Sequence, residues 1–121
     1  MSRILIVEDD ETDRLIVRLF LEQAGYRVLE ANSAESGLEL CNRTRPDLLL
    51  IDGLLPRMNG FQMCRALRAI PEYRDSPILV LSGLEEPEWP ARAIEAGATG
   101  FILKSNNWDE LVERIRQHLA A

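Results

Sequence analysis

Five short apolar runs alternate with amphipathic stretches, and this alternation is the feature of the sequence that most limits its fold. Runs that are rich in Leu, Ile and Val and do not alternate strictly between polar and apolar residues are typical of strands buried on both faces of a parallel sheet. The stretches between them have helical apolar spacing, which indicates helices covering two sides of the sheet. Because crossovers between parallel strands are right-handed, we predict a doubly wound α/β fold of five strands and five helices. The runs span residues 3–7, 27–31, 48–51, 78–81 and 101–103.

Capping residues and prolines predict where the helices begin and end. Thr12 is a candidate N-cap of the first helix and Ser33 of the second. Pro87 and Pro90 are tolerated only before the fourth helix or in its first turn. We expect the apolar stripe of the first helix to face the core. That stripe consists of Leu15, Ile16, Leu19 and Phe20. The third, fourth and fifth helices are predicted at about residues 61–70, 89–96 and 108–119.

Length and charge narrow the class of protein. The 121 residues, 46% of them hydrophobic, suit one domain over residues 1–121 with a single core. The apolar runs are too short to span a bilayer, so we expect a cytoplasmic protein that does not bind membranes. The net charge of −6 disfavours direct nucleic acid binding by this domain. Cys41 and Cys64 lack the spacing of a zinc site or a disulfide framework.

Polar side chains follow four of the five predicted strands. Glu8 and Asp9 follow the first, Asp52 the third, Ser82 the fourth and Lys104 the fifth. In parallel α/β sheets the functional crevice lies at the carboxyl ends of the strands, so these residues should meet there. Carboxylates held close repel one another unless a cation lies among them, and Mg²⁺ prefers oxygen ligands at about 2.1 Å. The sequence therefore predicts a magnesium site at this edge.

The same residues suggest phosphoryl chemistry. Asp52 is the candidate nucleophile, since carboxylates form acyl phosphates in enzymes. Glu8 and Asp9 would hold the metal, while Ser82 could donate a hydrogen bond to a phosphoryl oxygen. Lys104 could pair with another phosphoryl oxygen as a compact point charge. Each residue alone could be an ordinary polar strand end; their common register favours a site.

These motifs resemble one family over essentially the whole chain. The segments ILIVEDD, DGLLPRMNG, LSG and GATGFILKS occur in the order found in receiver domains of two-component response regulators, similar to the chemotaxis receiver. The resemblance implies a flavodoxin-like fold with strand order 2-1-3-4-5. It also implies that Asp52 is the phosphoacceptor and that the backbone carbonyl of Leu54 is a further metal ligand. The resemblance further implies that Glu8 and Asp9 are the acidic pair, that Ser82 and Phe101 are the switch residues, and that Lys104 is the invariant lysine of the family.

The resemblance further implies how such a domain signals. A histidine kinase or a histidine phosphotransfer protein donates the phosphoryl group, and the receiver catalyses only its own phosphorylation and dephosphorylation. Ser82 then moves toward the phosphoryl group and Phe101 turns inward, which shifts a pre-existing equilibrium. The surface formed by the fourth helix, fifth strand and fifth helix would change and control a downstream effector or a fused output domain. A homodimer is compatible with this scheme.

Three features depart from the family pattern. Ser105 follows Lys104 where many receivers have proline, so we expect a different loop there. Pro87 and Pro90 should shorten or reshape the output face at the fourth helix. Leu54 and Leu84 stand where family members place side chains beside the hydrolytic water. Since leucine cannot orient water, we predict a long-lived phosphoryl group.

Two other classes of function remain open. A pseudo-receiver would use the fold as a dimerisation or interaction scaffold without phosphorylation, although Asp52, Ser82 and Lys104 argue against it. A flavodoxin-like cofactor binder is possible on fold alone, but the strand-to-helix turns carry no phosphate-binding glycine-rich loop. The sequence equally allows a stand-alone receiver or one cut from a longer regulator.

Overall fold

Strands and helices alternate along the chain in a computed structural model that describes residues 2–83, 87–104 and 107–119. Within these ranges five parallel strands form one sheet in the order β2-β1-β3-β4-β5, which confirms the predicted doubly wound fold. No helix of the described ranges is long and apolar enough to cross a bilayer. The elements are β1 Arg3–Val7, α1 Glu11–Gln23, β2 Arg27–Ala31, α2 Ala34–Thr44, β3 Leu48–Asp52, α3 Gly60–Arg68, a 3-10 helix Pro71–Tyr73, β4 Ile78–Ser82, α4 Trp89–Glu95, β5 Gly100–Leu103 and α5 Trp108–Leu119.

Two apolar layers form the core, one on each face of the sheet. Residues of α2, α3 and α4 pack on one face, and residues of α1 and α5 pack on the other. Every residue of β3 and β4 is buried, as expected for central strands. The expectation that all five strands are buried on both faces is wrong for β2 and β5, because they form the edges of the sheet and are partly exposed.

Helix α1 differs from its prediction in both its cap and its buried face. Asp10, rather than Thr12, is the N-cap, and its carboxylate accepts a hydrogen bond of 2.9 Å from the backbone N–H of Asp13. Leu15 and Leu19 are 43% and 49% exposed, whereas the buried residues of the helix are Val17 and Leu21. The predicted stripe is therefore wrong at Leu15 and Leu19, whereas Phe20 packs against the core as expected. Helix α1 carries apolar residues around much of its circumference, and the way it lies on the sheet selects among them.

The other helices lie close to their predicted positions. Ser33 caps α2 as expected, through its hydroxyl and the N–H of Ser36. Asn59 and Gln62 form a reciprocal capping box that starts α3 one residue earlier than predicted. Helix α3 ends at Arg68, before the predicted boundary, because Pro71 opens a separate 3-10 turn. Helix α5 has the predicted bounds, and α4 ends one residue early.

The turn after β3 places the start of α3 directly against the end of that strand. A Cβ atom added at Gly60 would lie 2.3 Å from the backbone carbonyl oxygen of Asp52, which no side chain tolerates. Only glycine permits this close approach. The turn from Gly53 to Asn59 is consequently held compact beside the carboxyl end of β3.

Candidate functional site

The polar residues predicted at the strand ends lie along one edge of the sheet. Asp52 and Ser82 are the last residues of β3 and β4, while Glu8 and Lys104 directly follow β1 and β5. The parallel register aligns these ends, since Asp52 pairs with Leu81 and the backbone N–H of Lys104 donates to the carbonyl of Ser82 at 2.6 Å. Four strands in a row therefore present polar groups to the same crevice.

Three carboxylates in this crevice could share one cation. Within the described residues, Glu8, Asp9 and Asp52 each offer an oxygen within 4.8 Å of the others. Glu8 and Asp52 are buried, whereas Asp9 is exposed. Carboxylate oxygens at this separation suit a hard cation such as Mg²⁺, with bound waters filling the remaining positions. The donor set, which contains neither nitrogen nor sulfur, fits the predicted magnesium site.

Leu54 lies at the mouth of the crevice. Its backbone N–H donates a 2.9 Å hydrogen bond to Oδ1 of Asp52, and this bond fixes the carboxylate and the turn together. Its side chain is 48% exposed. The prediction that Leu54 and Leu84 flank the path of the hydrolytic water concerns the described structure only at Leu54, because Leu84 lies outside the described residues.

Lys104 is surrounded by carboxylates. Its Nζ contacts Oε1 of Glu8, Oδ2 of Asp13 at 3.1 Å and Oδ2 of Asp52 at 3.2 Å. The lysine side chain is only 15% exposed. Ser105, where we expected the loop to depart from the family pattern, lies outside the described residues.

Two features of the surroundings and identity of Lys104 were not predicted from the sequence. Asp13 was not among the candidate residues, although it stands three residues after Asp10, one helical turn into α1, where a side chain can point back to the acidic loop. Lys104 is also the one lysine among the 14 basic residues of the chain. That unusual choice was a signal in the composition that a compact ammonium is needed at this position.

The charges in the crevice perturb one another. Burial and the adjacent Asp52 carboxylate raise the pKa of the Glu8 carboxyl to about 8, against the lowering effect of its hydrogen bond from Lys104. Burial would lower the pKa of the Lys104 ammonium, but its contacts with Glu8 and Asp52 raise that pKa above its usual value. The crevice thus holds more negative charge than one lysine neutralises, which favours a further cation.

The two predicted switch residues lie on neighbouring strands. Ser82 is completely buried at the end of β4. Phe101, on β5, is partly buried and packs against the core layer formed with α2, α3 and α4. Trp89 begins α4, with Pro90 next to it in the first turn, and it is buried edge-on against Phe61, with ring centroids 5.9 Å apart. The described part of α4 is therefore a short helix, Trp89–Glu95, anchored to α3 by its first residue.

Comparisons with known proteins agree on the class of domain. A family model described as the response regulator receiver domain matches residues 4–116. The phosphate regulon transcriptional regulatory protein PhoB of Escherichia coli is 38% identical over 94% of this chain and 50% of its own length. The chain thus spans about half the length of the curated relatives it matches.

Solved structures give the same answer. Chemotaxis protein CheY4 of Vibrio cholerae superimposes with a TM-score of 0.93 at 31% identity, covering 98% of this chain and 99% of that one. The BeF3-activated N-terminal receiver domain of Klebsiella pneumoniae RstA gives a TM-score of 0.92 at 30% identity, covering 99% and 100%. Such domains are signalling proteins rather than metabolic enzymes. The chain belongs to the receiver domain family of two-component response regulators.

Proposed function

We propose that this domain accepts a phosphoryl group on Asp52 from a histidine kinase or a histidine phosphotransfer protein. The observation that carries the proposal is the placement of Asp52 Oδ2 at 3.2 Å from the Lys104 ammonium, inside a crevice with two further carboxylates. Asp52 Oδ2 would attack phosphorus in line with the phosphohistidine nitrogen. The new oxygen–phosphorus bond forms as the nitrogen–phosphorus bond breaks, and the imidazole leaves with the electron pair.

The metal would be held by the side chains of Glu8, Asp9 and Asp52 and by the backbone carbonyl of Leu54. A bound Mg²⁺ supplies positive charge to the phosphoryl oxygens during transfer. Lys104 would leave its contact with Asp52 Oδ2 and donate to a phosphoryl oxygen. The hydrogen bond from the Leu54 N–H to Oδ1 supports this assignment, because it leaves Oδ2 as the reacting atom.

Ser82 and Phe101 would carry the signal from the phosphoryl group to the surface. The hydroxyl of Ser82 would approach a phosphoryl oxygen, and Phe101 would move inward from its partly buried position. The surface of α4, β5 and α5 would then favour a different partner, either a separate effector or a fused output domain, or a second copy of the receiver. The curated relatives, of which this chain matches half, support the proposal of a fused output domain.

Beryllofluoride with Mg²⁺, together with acetyl phosphate, tests this proposal. We expect beryllofluoride to shift the backbone amide NMR signals around Ser82 and Phe101. Acetyl phosphate should add the mass of one phosphoryl group, measured by mass spectrometry of the intact protein. Asp52→Ala should abolish both responses. Asp75→Ala, which removes an exposed aspartate before β4 at the opposite edge, should leave both intact. Absence of any response in the parent protein would instead support the pseudo-receiver.

A further inference from the structure

Asp13 contacts the lysine of the site without belonging to the group of carboxylates that could hold a metal. Its Oδ2 lies 3.1 Å from Lys104 Nζ, and its side chain is 40% exposed. The metal-capable group of the described residues consists of Glu8, Asp9 and Asp52. Asp13 therefore needs an explanation other than metal binding.

We propose that Asp13 is a positioning residue that keeps the Lys104 ammonium aimed at the phosphoryl group. This inference rests on the proposed function of Asp52. A lysine ammonium has three N–H donors, and in the described part of the chain Glu8, Asp13 and Asp52 accept from it. Phosphorylation would replace the Asp52 contact with a phosphoryl oxygen, and metal binding would draw Glu8 away. Asp13 is the partner that neither event displaces.

The place of Asp13 in the fold suits a fixed anchor. It lies in the first turn of α1, and its backbone N–H is held by the Asp10 carboxylate at 2.9 Å. Lysine, by contrast, carries its charge on a flexible four-carbon stem that has many rotamers. A carboxylate on a rigid helix would limit those rotamers, so the lysine loses less conformational freedom when the phosphoryl group binds.

A second explanation must be separated from this one. Asp13 could act merely by its negative charge, which would attract Mg²⁺ and repel the incoming anion without involving Lys104. A charge effect would persist after the lysine is removed, whereas a positioning effect requires the lysine. The two explanations therefore predict different results in a double-mutant cycle.

The experiment measures beryllofluoride dissociation constants at saturating Mg²⁺ in four proteins: the parent, Asp13→Asn, Lys104→Met and the double variant. We expect Asp13→Asn to weaken binding about tenfold in the parent background, the size of one charge-assisted hydrogen bond. It should change binding by less than about twofold in the Lys104→Met background. Glu11→Gln, an exposed charge removed from the same helical turn, should have no effect. Asp13→Glu should recover part of the loss.

A spectroscopic measurement tests the same inference without the cycle. Because Lys104 is the one lysine of the chain, protein labelled with ¹⁵N-lysine gives a single side-chain ammonium signal. With Mg²⁺ and beryllofluoride bound, we expect this signal to be protected from solvent exchange in the parent and in Glu11→Gln. It should exchange several-fold faster in Asp13→Asn, because a neutral amide oxygen replaces the carboxylate as acceptor and the hydrogen bond is no longer charge-assisted.

Three results would overturn the inference: unchanged or tighter binding in Asp13→Asn, an equal loss in both lysine backgrounds, or an equally protected ammonium signal. Each of them leaves the phosphoacceptor proposal standing, since the parent protein still responds. If the parent fails to bind beryllofluoride, or if Asp52→Ala still binds it, the proposed function fails and the inference about Asp13 falls with it. The two failures are therefore distinguishable.

Discussion

Two cationic side chains lie at the two ends of the parallel strands, which we call the carboxyl edge and the amino edge, and their surroundings differ in kind. At the carboxyl edge, Lys104 contacts the side-chain carboxylates of Glu8, Asp13 and Asp52. At the amino edge, Arg68 ends α3 and donates to uncharged oxygens at 2.7 to 3.2 Å. Its acceptors are the backbone carbonyls of Tyr73, Arg74, Ser76 and Gly97 and the hydroxyl of Thr99.

The difference separates a structural cation from a functional one. Backbone carbonyls are fixed by the chain, so the planar guanidinium of Arg68 joins the loops before β4 and β5 in one arrangement. Side-chain carboxylates can rotate toward another cation, so the contacts of Lys104 can be exchanged for phosphoryl oxygens. The chain uses arginine at every basic position except 104. Mutation of Arg68 at the amino edge should therefore lower stability, whereas mutation of Lys104 at the carboxyl edge should slow phosphorylation.

The largest effect on stability is expected from Arg68→Ala. It leaves several loop carbonyls without their donor, and we expect a loss of about 3 kcal/mol in the free energy of unfolding. Beryllofluoride affinity in the folded fraction should change less than about twofold, since the contacts of Arg68 are at the amino edge. Urea denaturation measures the free energy of unfolding, and a beryllofluoride titration at saturating Mg²⁺ measures the affinity. Arg65→Ala, an exposed arginine of the same helix, is the control. A loss no larger than that of Arg65→Ala would contradict the structural role.

Lys104→Met should give the opposite pattern. We expect phosphorylation by acetyl phosphate to slow about 100-fold, the cost of removing a donor to developing negative charge. With saturating Mg²⁺ the free energy of unfolding should change by less than about 1 kcal/mol, because the metal compensates the unpaired carboxylates. Lys104→Arg keeps the charge but replaces a compact ammonium with a planar fork, so it should restore little of the rate. Full activity in Lys104→Arg would remove the distinction between the two cations.

The carboxyl edge was predictable because its residues follow apolar runs directly. A strand has a fixed direction and its end is visible in the sequence, so the grouping of Glu8, Asp52, Ser82 and Lys104 needed only the parallel topology. The fold was predictable for the same reason, since the alternation of strands and helices leaves few topologies.

Residues on helices and loops were harder to place. The direction of Asp13 depends on where α1 begins, and the cap is Asp10 rather than the predicted Thr12. The exposed Leu15 shows the same problem, since a helix with apolar residues around its circumference does not reveal its buried face. Arg68 left no sequence signal, because its partners are mostly backbone carbonyls, which every residue carries.

A pH series examines the surplus of negative charge at the carboxyl edge. Burial raises the pKa of Glu8 to about 8 in the folded protein, above its ordinary 4.5, so the folded state binds that proton more tightly than the unfolded state. Glu8 therefore contributes stability at pH 4.5 and below, and this contribution is lost as the pH rises toward 8. Without Mg²⁺, we expect the Tm of Glu8→Gln to exceed that of the parent by a margin that grows across this pH range. The margin should be about 4 °C for each kcal/mol of stability that the parent loses.

Two controls limit the interpretation of that margin. Saturating Mg²⁺ should reverse it, because the ionised Glu8 of the parent then has a cation and the variant lacks a ligand. Glu72→Gln, an exposed glutamate in the 3-10 turn, should show no pH-dependent margin. A Tm difference independent of pH would mean that Glu8 is not held toward its neutral form.

The smallest effect is expected at Leu54, where the carboxyl edge opens to water. Its side chain is 48% exposed and cannot hydrogen-bond a water near Asp52, so the phosphoryl group should be long-lived. Leu54→Asn should raise the dephosphorylation rate about three- to tenfold with Mg²⁺ present, since an amide can orient the attacking water. Leu19→Asn, an equally exposed leucine of α1, should leave the rate unchanged. A parent phosphoprotein that decays as fast as a chemotaxis receiver, or an unaltered rate in Leu54→Asn, would show that access of water is set elsewhere in the crevice.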